Sequence, residues 1–407
     1  MKILVISQYF WPENFRINDL ATELFLRGHE VTVLTGLPNY PCGTVFKNYK
    51  NKPSDFSKLE GVEIVRVPMV PRGKTKLNLL INYITFALSG SSIGLWKLRG
   101  RDFDVIFTNQ LSPVTVGIPA LILGKFKKAP IVFWVLDLWP DSLKATGTVR
   151  SAFLLGLVGC LVKFIYKRCD LILAQAQSFI PYIRKFTGDR HRIEYFPSWS
   201  ENIFDRKDVA IAPEIESNKD MFTIIFAGNI GESQDFPSIL NAVELLQGNS
   251  KIRWFIIGEG RKAHWLRSEI ENRGLGHRIR MLGNYPLERM SSFYCHADAL
   301  LVSLKDEPIF SMTIPGKLQS YLASGLPILA MINGEGARII NESGCGLTCP
   351  AGDYHGLAEA VLAMSKMSES EKSQLGQSAL IVNNRMFGRA RLIEQLERWF
   401  SRWSNDY

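Results

Sequence analysis

Short apolar runs recur along the whole chain, and most are separated by segments in which apolar side chains return every three or four positions. In the first half the runs are KILVISQ, HEVTVLTG, VEIVRVP, FDVIFTN, PIVFWVLD, DLILAQ and RIEYFP, with helix-length stretches such as NDLATELFLRG between them. Val/Ile-rich strands alternating with helices predict a parallel, doubly wound sheet. The second half repeats the rhythm: FTIIFAG, a helix over SILNAVELLQG, IRWFIIGEG, a helix over HWLRSEIENRG, then IRMLG, DALLVSL and PILAMI. The pattern therefore predicts two α/β domains, with ligands gathered at the carboxyl ends of the strands and a cleft between the sheets. The polar stretch RKDVAIAPEIESNKD marks the junction. The predicted divisions are 1–205, 206–390 and a closing helix over 391–407.

Three segments depart from this rhythm. Residues 77–98 and 152–162 are largely apolar, but neither is an uninterrupted apolar stretch of about 20 residues, so neither is predicted to span a membrane. Each is followed by basic residues: Lys97, Arg99 and Arg101 after the first, and Lys163, Lys167 and Arg168 after the second. An apolar face with a cationic flank suits a helix lying on anionic lipid, although helices that cover a sheet share the pattern. The terminal ARLIEQLERWFSRW places Leu392, Leu396, Trp399, Phe400 and Trp403 near one stripe, which predicts a docking helix.

Charge sharpens the picture. Residues 1–205 hold 26 Lys/Arg against 16 Asp/Glu, and the remainder hold 22 against 23, so the formal net charge of +9 sits on the first half. One half thus suits an anionic surface, nucleic acid or an acidic membrane leaflet. The six cysteines show no paired spacing, which points away from a disulfide framework or zinc site and towards a reducing cytosol. The opening MKILVISQYF reads as a strand beginning at residue 2, not a signal peptide.

The richest stretch for chemistry is DEPIFSMTIPGKLQSYLASGLPILA, residues 306–330. Pro315 and Gly325 punctuate a helix whose first turn carries Lys317 as a movable cation, and a helix N-terminus is a ready seat for phosphate. Upstream, FAGNIGESQDF sets Gly228 and Gly231 where backbone must approach a ligand closely. IIGEGRKAHWL places Gly258, Glu259 and Gly260 ahead of a helix. Neither turn matches a dinucleotide fingerprint or a P-loop. WVLDLWPDS puts Asp137 and Asp141 at the carboxyl end of a buried strand, where a carboxylate orients or deprotonates an acceptor; the same two residues would also serve as a turn and a helix cap. Asp102 and Asp104 open a strand and read as solvated and capping residues, not as metal ligands. No histidine has ligand spacing.

Across nearly the whole chain the motifs resemble the family-4 glycosyltransferases of the GT-B fold. RGHEVTVLTG after MKILVISQYFWPENFRINDLA is similar to their opening unit, and FAGNIG, IIGEG, HADALLVSL, PGKLQSYLASGLPIL and GCGLTCPAGD to their second half. GLPNYP and DLWPDS resemble bacterial O-antigen and capsule transferases, in particular those for N-acetyl-L-fucosamine. The resemblance implies two Rossmann-like domains facing a cleft, with the terminal helix crossing back to the first. It implies a UDP-sugar donor, no metal or other cofactor, retention of configuration and a polyprenyl-diphosphate-linked saccharide as acceptor. It also implies a peripheral position on the anionic, cytoplasmic face of the inner membrane, and no nucleic acid.

Mapped onto this chain, Gly228, Asn229, Gly231, Gln234, Gly258, Glu259, Arg261, Lys317 and Glu335 are expected on the donor side. Glu13, Asn14, Arg16, Asn39, Tyr40 and Asn109 are expected on the acceptor side, and Asp137, Asp141 and Glu307 in catalysis. Relatives carry an arginine and a lysine where this chain has Asn229 and Gln234, and two spaced glutamates where it has Met312 and Ser320, with Glu307 displaced upstream. Lys317 and the adjacent amides are expected to replace the missing cations, with Arg261 beside them. A sugar-nucleotide 2-epimerase and a non-catalytic scaffold share the architecture and remain alternatives at this level.

Overall fold

The computed structural model describes residues 1–404 except 74, 190, 201–209 and 219. They form two compact units, Met1–Phe196 joined by the terminal residues from Ala390, and Pro197–Arg389. The first unit ends at Phe196, earlier than 205, because that side chain packs against Trp134 and Trp399 of unit 1. Ala212 and Ile215 are already buried in unit 2. Residues 205–209 and 219 of the junction expected near 205–220 lie outside the described residues.

Unit 1 runs β1 (Lys2–Ile6), α1 (Arg16–Leu26), β2 (Glu30–Thr35), α2 (Lys47–Asn51), β3 (Lys58–Leu59), β4 (Val62–Arg66), α3 (Lys76–Lys97) and β5 (Val105–Gln110). It continues with α4 (Gly117–Lys127), β6 (Ile131–Val135), α5 (Asp141–Ala145), α6 (Ala152–Tyr166), β7 (Leu171–Ala174), α7 (Phe179–Thr187) and β8 (Ile193–Tyr195). The sheet order is β3-β4-β2-β1-β5-β6-β7-β8, parallel throughout except for the short β3, which is antiparallel to β4. Strand order reverses between β1 and β5, so the switch point lies at their carboxyl ends. The strands are apolar on both faces because helices cover both. Phe133 meets Tyr166 of α6, while its neighbours Phe107 and Trp134 turn the other way, towards Phe400 and Phe196.

Unit 2 runs β9 (Phe222–Ala227), α8 (Phe236–Leu245), β10 (Ile252–Ile257), α9 (Ala263–Asn272), β11 (Ile279–Gly283), α10 (Met290–Tyr294) and β12 (Ala299–Ser303). Then come α11 (Pro308–Ser311), α12 (Gly316–Ser324), β13 (Ile328–Met331), α13 (Gly334–Ser343), β14 (Gly346–Cys349), α14 (Tyr354–Ser365) and α15 (Glu369–Phe387). All six strands are parallel in the order β11-β10-β9-β12-β13-β14, with the switch point between β9 and β12. α12 ends as its sequence demands, with Gly325 at φ 68°. Its start is one residue later than the pattern suggested, since Pro315 caps the helix from outside.

The last helix, α16 (Arg389–Ser404), lies with unit 1. Leu392, Ile393, Leu396, Trp399 and Phe400 are buried, and Glu397 accepts from Arg27 (3.1 Å) and pairs with His29 (2.9 Å) at the end of α1.

Candidate active site

In unit 2 the turns after β9 and β10 are laced together. Gly228 N–H donates to Ile257 (2.9 Å), Ile230 N–H to Glu259 (2.9 Å) and Lys262 N–H to Ile230 (3.0 Å). Gly258, at φ 139°, passes so close to Gly228 that an added Cβ would fall 1.9 Å from the Gly228 oxygen. These glycines are required by the approach of one turn to the other as well as by any ligand. The Asn229 amide fills the space between Gly231 and Gly260. From α12, the Tyr321 hydroxyl ties down the end of β9, meeting Ala227 N at 2.8 Å and Ala227 O at 3.2 Å.

Lys317 is not the movable cation that the sequence suggested. Its ammonium donates to Gln234 Oε1 and lies 3.6 Å from the centre of the Phe226 ring, tucked beside Gly228. Burial pulls its pKa well below the usual lysine range. The relocated cation therefore sits inside the turn that lacks one of its own. Around it, Glu232 bridges Lys305 (2.7 Å) and Lys262 (2.9 Å), two cations not singled out from the sequence. Arg261 and Glu259 are exposed at the rim. Glu307 precedes α11, and Glu335 is buried in the first turn of α13 near Arg338 (3.8 Å). α13 starts hard against α11: an added Cβ at Gly334 would lie 1.9 Å from the Ser311 oxygen.

In unit 1 the segments that follow β1, β2 and β6, with the end of β5, carry the remaining candidates. Glu13 and Asn39 are corrected by their surroundings. Both are buried, and Glu13 accepts from the backbone N–H of Asn39 (2.7 Å), Tyr40 (2.6 Å) and Phe10 (3.1 Å). Burial raises the Glu13 pKa while those donors lower it. Asn39 donates to Leu37 O (2.7 Å) and accepts from Arg72 N (2.8 Å). These two side chains are occupied in shaping the loops and do not reach out from them. Tyr40 stacks among Tyr9, Phe15 and the Arg72 guanidinium, Asn14 is exposed, and Arg16 opens α1.

Asn109 is buried and donates to Ser7 Oγ (3.1 Å), but its Oδ1 has no partner among the described residues. The same holds for Gln8 Oε1 and Gln110 Oε1. Three buried acceptors left open at one switch point are unusual, since native interiors pair such groups. Asp137 accepts from Trp139 Nε1 (3.0 Å), and burial raises its pKa. Asp141 is exposed at the start of α5 beside Tyr182, whose hydroxyl burial holds above its usual range. Asp104 accepts from Lys2 N (2.6 Å), a capping role. Among the described residues no three His, Cys, Asp or Glu side chains gather as a metal-ligand group.

Two family models match: "Glycosyl transferase 4-like domain" over residues 14–199 and "Glycosyl transferases group 1" over residues 221–366. The chain belongs to the family-4 glycosyltransferases of the GT-B fold. It is 28% identical to WbjE of Pseudomonas aeruginosa, named as a glycosyltransferase, over 68% of this chain and 69% of that one. It is 25% identical to WcaI of Escherichia coli K12, named for colanic acid biosynthesis, over 80% and 82%. Anabaena HepE, solved with UDP, shares the fold at a TM-score of 0.70 with 13% identity, covering 98% of this chain and 100% of HepE.

Within this glycosyltransferase, the structure brings together Gly228, Asn229, Gly231, Gln234, Gly258 and Lys317 at one switch point. Gln8, Asn82, Arg66 and Arg72 were missed by sequence reasoning. Asn82 accepts from Gln8 (2.7 Å) and Tyr9 (3.0 Å) and donates to Val70 O (2.6 Å). The buried Arg66, its pKa pulled down to about 10 by burial, donates to Gly36 O (2.8 Å) and to Trp11 O. An asparagine in the apolar run LLINYITF was the available signal for the first; nothing local marks the second.

Proposed function

We propose that this glycosyltransferase moves a sugar from a UDP-sugar, bound by unit 2, to a lipid-diphosphate-linked saccharide bound by unit 1. The work serves surface polysaccharide synthesis on the cytoplasmic face of the inner membrane. The observation that carries the reading is Lys317. A cation on a helix N-terminus, aimed into a glycine turn at the switch point, is suited to the charge that develops on a departing diphosphate. With Lys317 and backbone amides in that role, the reaction needs neither a divalent metal nor an organic cofactor.

On the acceptor side the exposed Asn14, and Tyr40, which lies under the Arg72 guanidinium, are assigned to sugar hydroxyls, with Asn109 behind them. Asp137, whose pKa is raised by burial, is the residue assigned to the acceptor hydroxyl as proton acceptor, with Asp141 orienting it. Glu307 and Glu335 are assigned to hydroxyls of the donor. N-acetyl-L-fucosamine is the sugar favoured by GLPNYP and DLWPDS, and the names of the relatives support a polysaccharide pathway.

The test is UDP release by the full chain over a panel of UDP-sugars, each with and without a polyprenyl-diphosphate-linked N-acetylhexosamine. Acceptor-dependent release with one donor is expected, unchanged by a metal chelator. Conversion of a donor to its epimer without acceptor would replace this reading with the epimerase.

A further inference from the structure

Three charged side chains from three separate segments meet at the turn after β9. Glu232 lies in that turn, Lys262 directly precedes α9, and Lys305 follows β12. The Glu232 carboxylate is shared out one oxygen to each cation: Oε1 takes Lys305 Nζ at 2.7 Å, and Oε2 takes Lys262 Nζ at 2.9 Å. Both lysines are rooted against the same turn. Lys262 N–H donates to Ile230 O (3.0 Å) and Lys305 N–H to Ser233 O (2.9 Å). Ser303 Oγ adds a bond to Gln234 O (2.6 Å). The backbone is therefore pinned without the ion pairs, and only the long side chains are free to swing.

The cluster contributes little to the fold. Glu232 is 66% exposed and its two partners are more than a third exposed, and ion pairs so open to water are screened and cost side-chain entropy to hold. What the pairs do is electrostatic. Lys305 and then Lys262 hold Glu232 below the usual carboxylate range, so it stays ionised and keeps both cations occupied. The neighbouring carboxylate of Asp306 takes no part, being bonded to Asn333 (2.8 Å). Two ammonium groups thus converge on one anion beside the glycine turn that holds Lys317. A carboxylate and a phosphate ask for the same donors, and a diphosphate brings more charge and more oxygens to them.

We infer that Glu232 is a built-in counter-ion, which occupies Lys262 and Lys305 until a nucleoside diphosphate displaces it and recruits both lysines to its phosphates. Exposure makes the exchange cheap, since the carboxylate that swings away is hydrated at once. Removing it from the phosphates also takes a like charge out of the site. When the leaving nucleoside diphosphate has to depart, Glu232 competes for the same two cations and opposes its retention. The inference rests on the reading of unit 2 as the UDP-sugar site.

The test is calorimetric titration of the full chain with UDP and with uridine. Glu232→Gln frees the lysines and should tighten UDP about two- to fivefold, the range that exposed ion pairs support. Lys262→Met/Lys305→Met should weaken UDP about tenfold or more. Uridine, which lacks phosphate, should bind every variant alike, and thermal melts should stay level. The two effects should be coupled: in the Lys262→Met/Lys305→Met background Glu232→Gln should no longer tighten UDP. Weaker or unchanged UDP binding in Glu232→Gln overturns the inference, as does tightening that persists without the lysines, which would be a general effect of lost negative charge. UDP binding that the double lysine variant keeps in full overturns the inference alone, whereas a wild type that does not bind UDP sinks the donor reading and the inference with it.

Discussion

Replacing Lys317 by methionine keeps the aliphatic stem against Phe226 and removes only the ammonium. In the free protein that ammonium gains about 1 kcal/mol from Gln234 and ~0.5–2 kcal/mol from the ring. It loses a comparable or larger amount through burial, the reason its pKa is depressed. Thermal stability should therefore stay level or rise. With UDP bound, a charge-assisted contact to phosphate of roughly 1.5–3 kcal/mol disappears, so affinity should fall about 10- to 160-fold. Uridine, which lacks phosphate, should bind the variant as it binds wild type.

Calorimetry reads this directly. In wild type, UDP should draw a proton onto Lys317 between its lowered value and the ordinary lysine range, an uptake visible as a dependence of heat on buffer. The methionine variant should show none. The unfolded chain holds more protons across that same pH interval, so wild-type stability rises with pH there and the variant loses the rise. UDP affinity unchanged in Lys317→Met, or uridine weakened in step with UDP, would refute the reasoning.

Gly258→Ala places a methyl 1.9 Å from the Gly228 oxygen at a positive φ, so unit 2 should lose ~2 kcal/mol or more in a denaturant melt. Asp137→Asn should remove the acid limb of the kcat/KM profile, which in wild type should lie above the ordinary aspartate range because the raised pKa delays ionisation. Glu13→Gln sets an amide N–H₂ against backbone donors, and a loss of ~1–3 kcal/mol in stability should appear with weakened acceptor binding and intact UDP binding.

What the sequence made legible was local. Buried strands announce themselves as unbroken Val/Ile runs, and α12 carries its own start and stop signals in Pro315 and Gly325. The lacing of the unit 1 loops was not legible, because its partners are remote: Glu13 reaches Asn39 across 26 positions, Arg66 reaches Gly36 across 30, and Gln8 reaches Asn82 across 74. Polar residues in those loops look alike on paper whether they face a ligand or a backbone amide, and Glu13 and Asn39 face the backbone. Lys317 shows the converse. Its position on a helix N-terminus was readable, but the Phe226 ring and Gln234 that immobilise it arrive from another strand and turn.

The helix that completes unit 1 is synthesised only after the whole of unit 2. Phe107 and Phe196 are left without Phe400 and Trp399 until the whole of Pro197–Arg389 has been made. At about 5–20 residues per second that delay is roughly 10–40 s, during which the amino-terminal half is a nearly finished domain with an open apolar side. Removing α16 would thus injure a unit whose other elements all precede Pro197. A ribosome stalled before α16 would display that open side to chaperones and proteases, while unit 2, built from one continuous segment, had already closed.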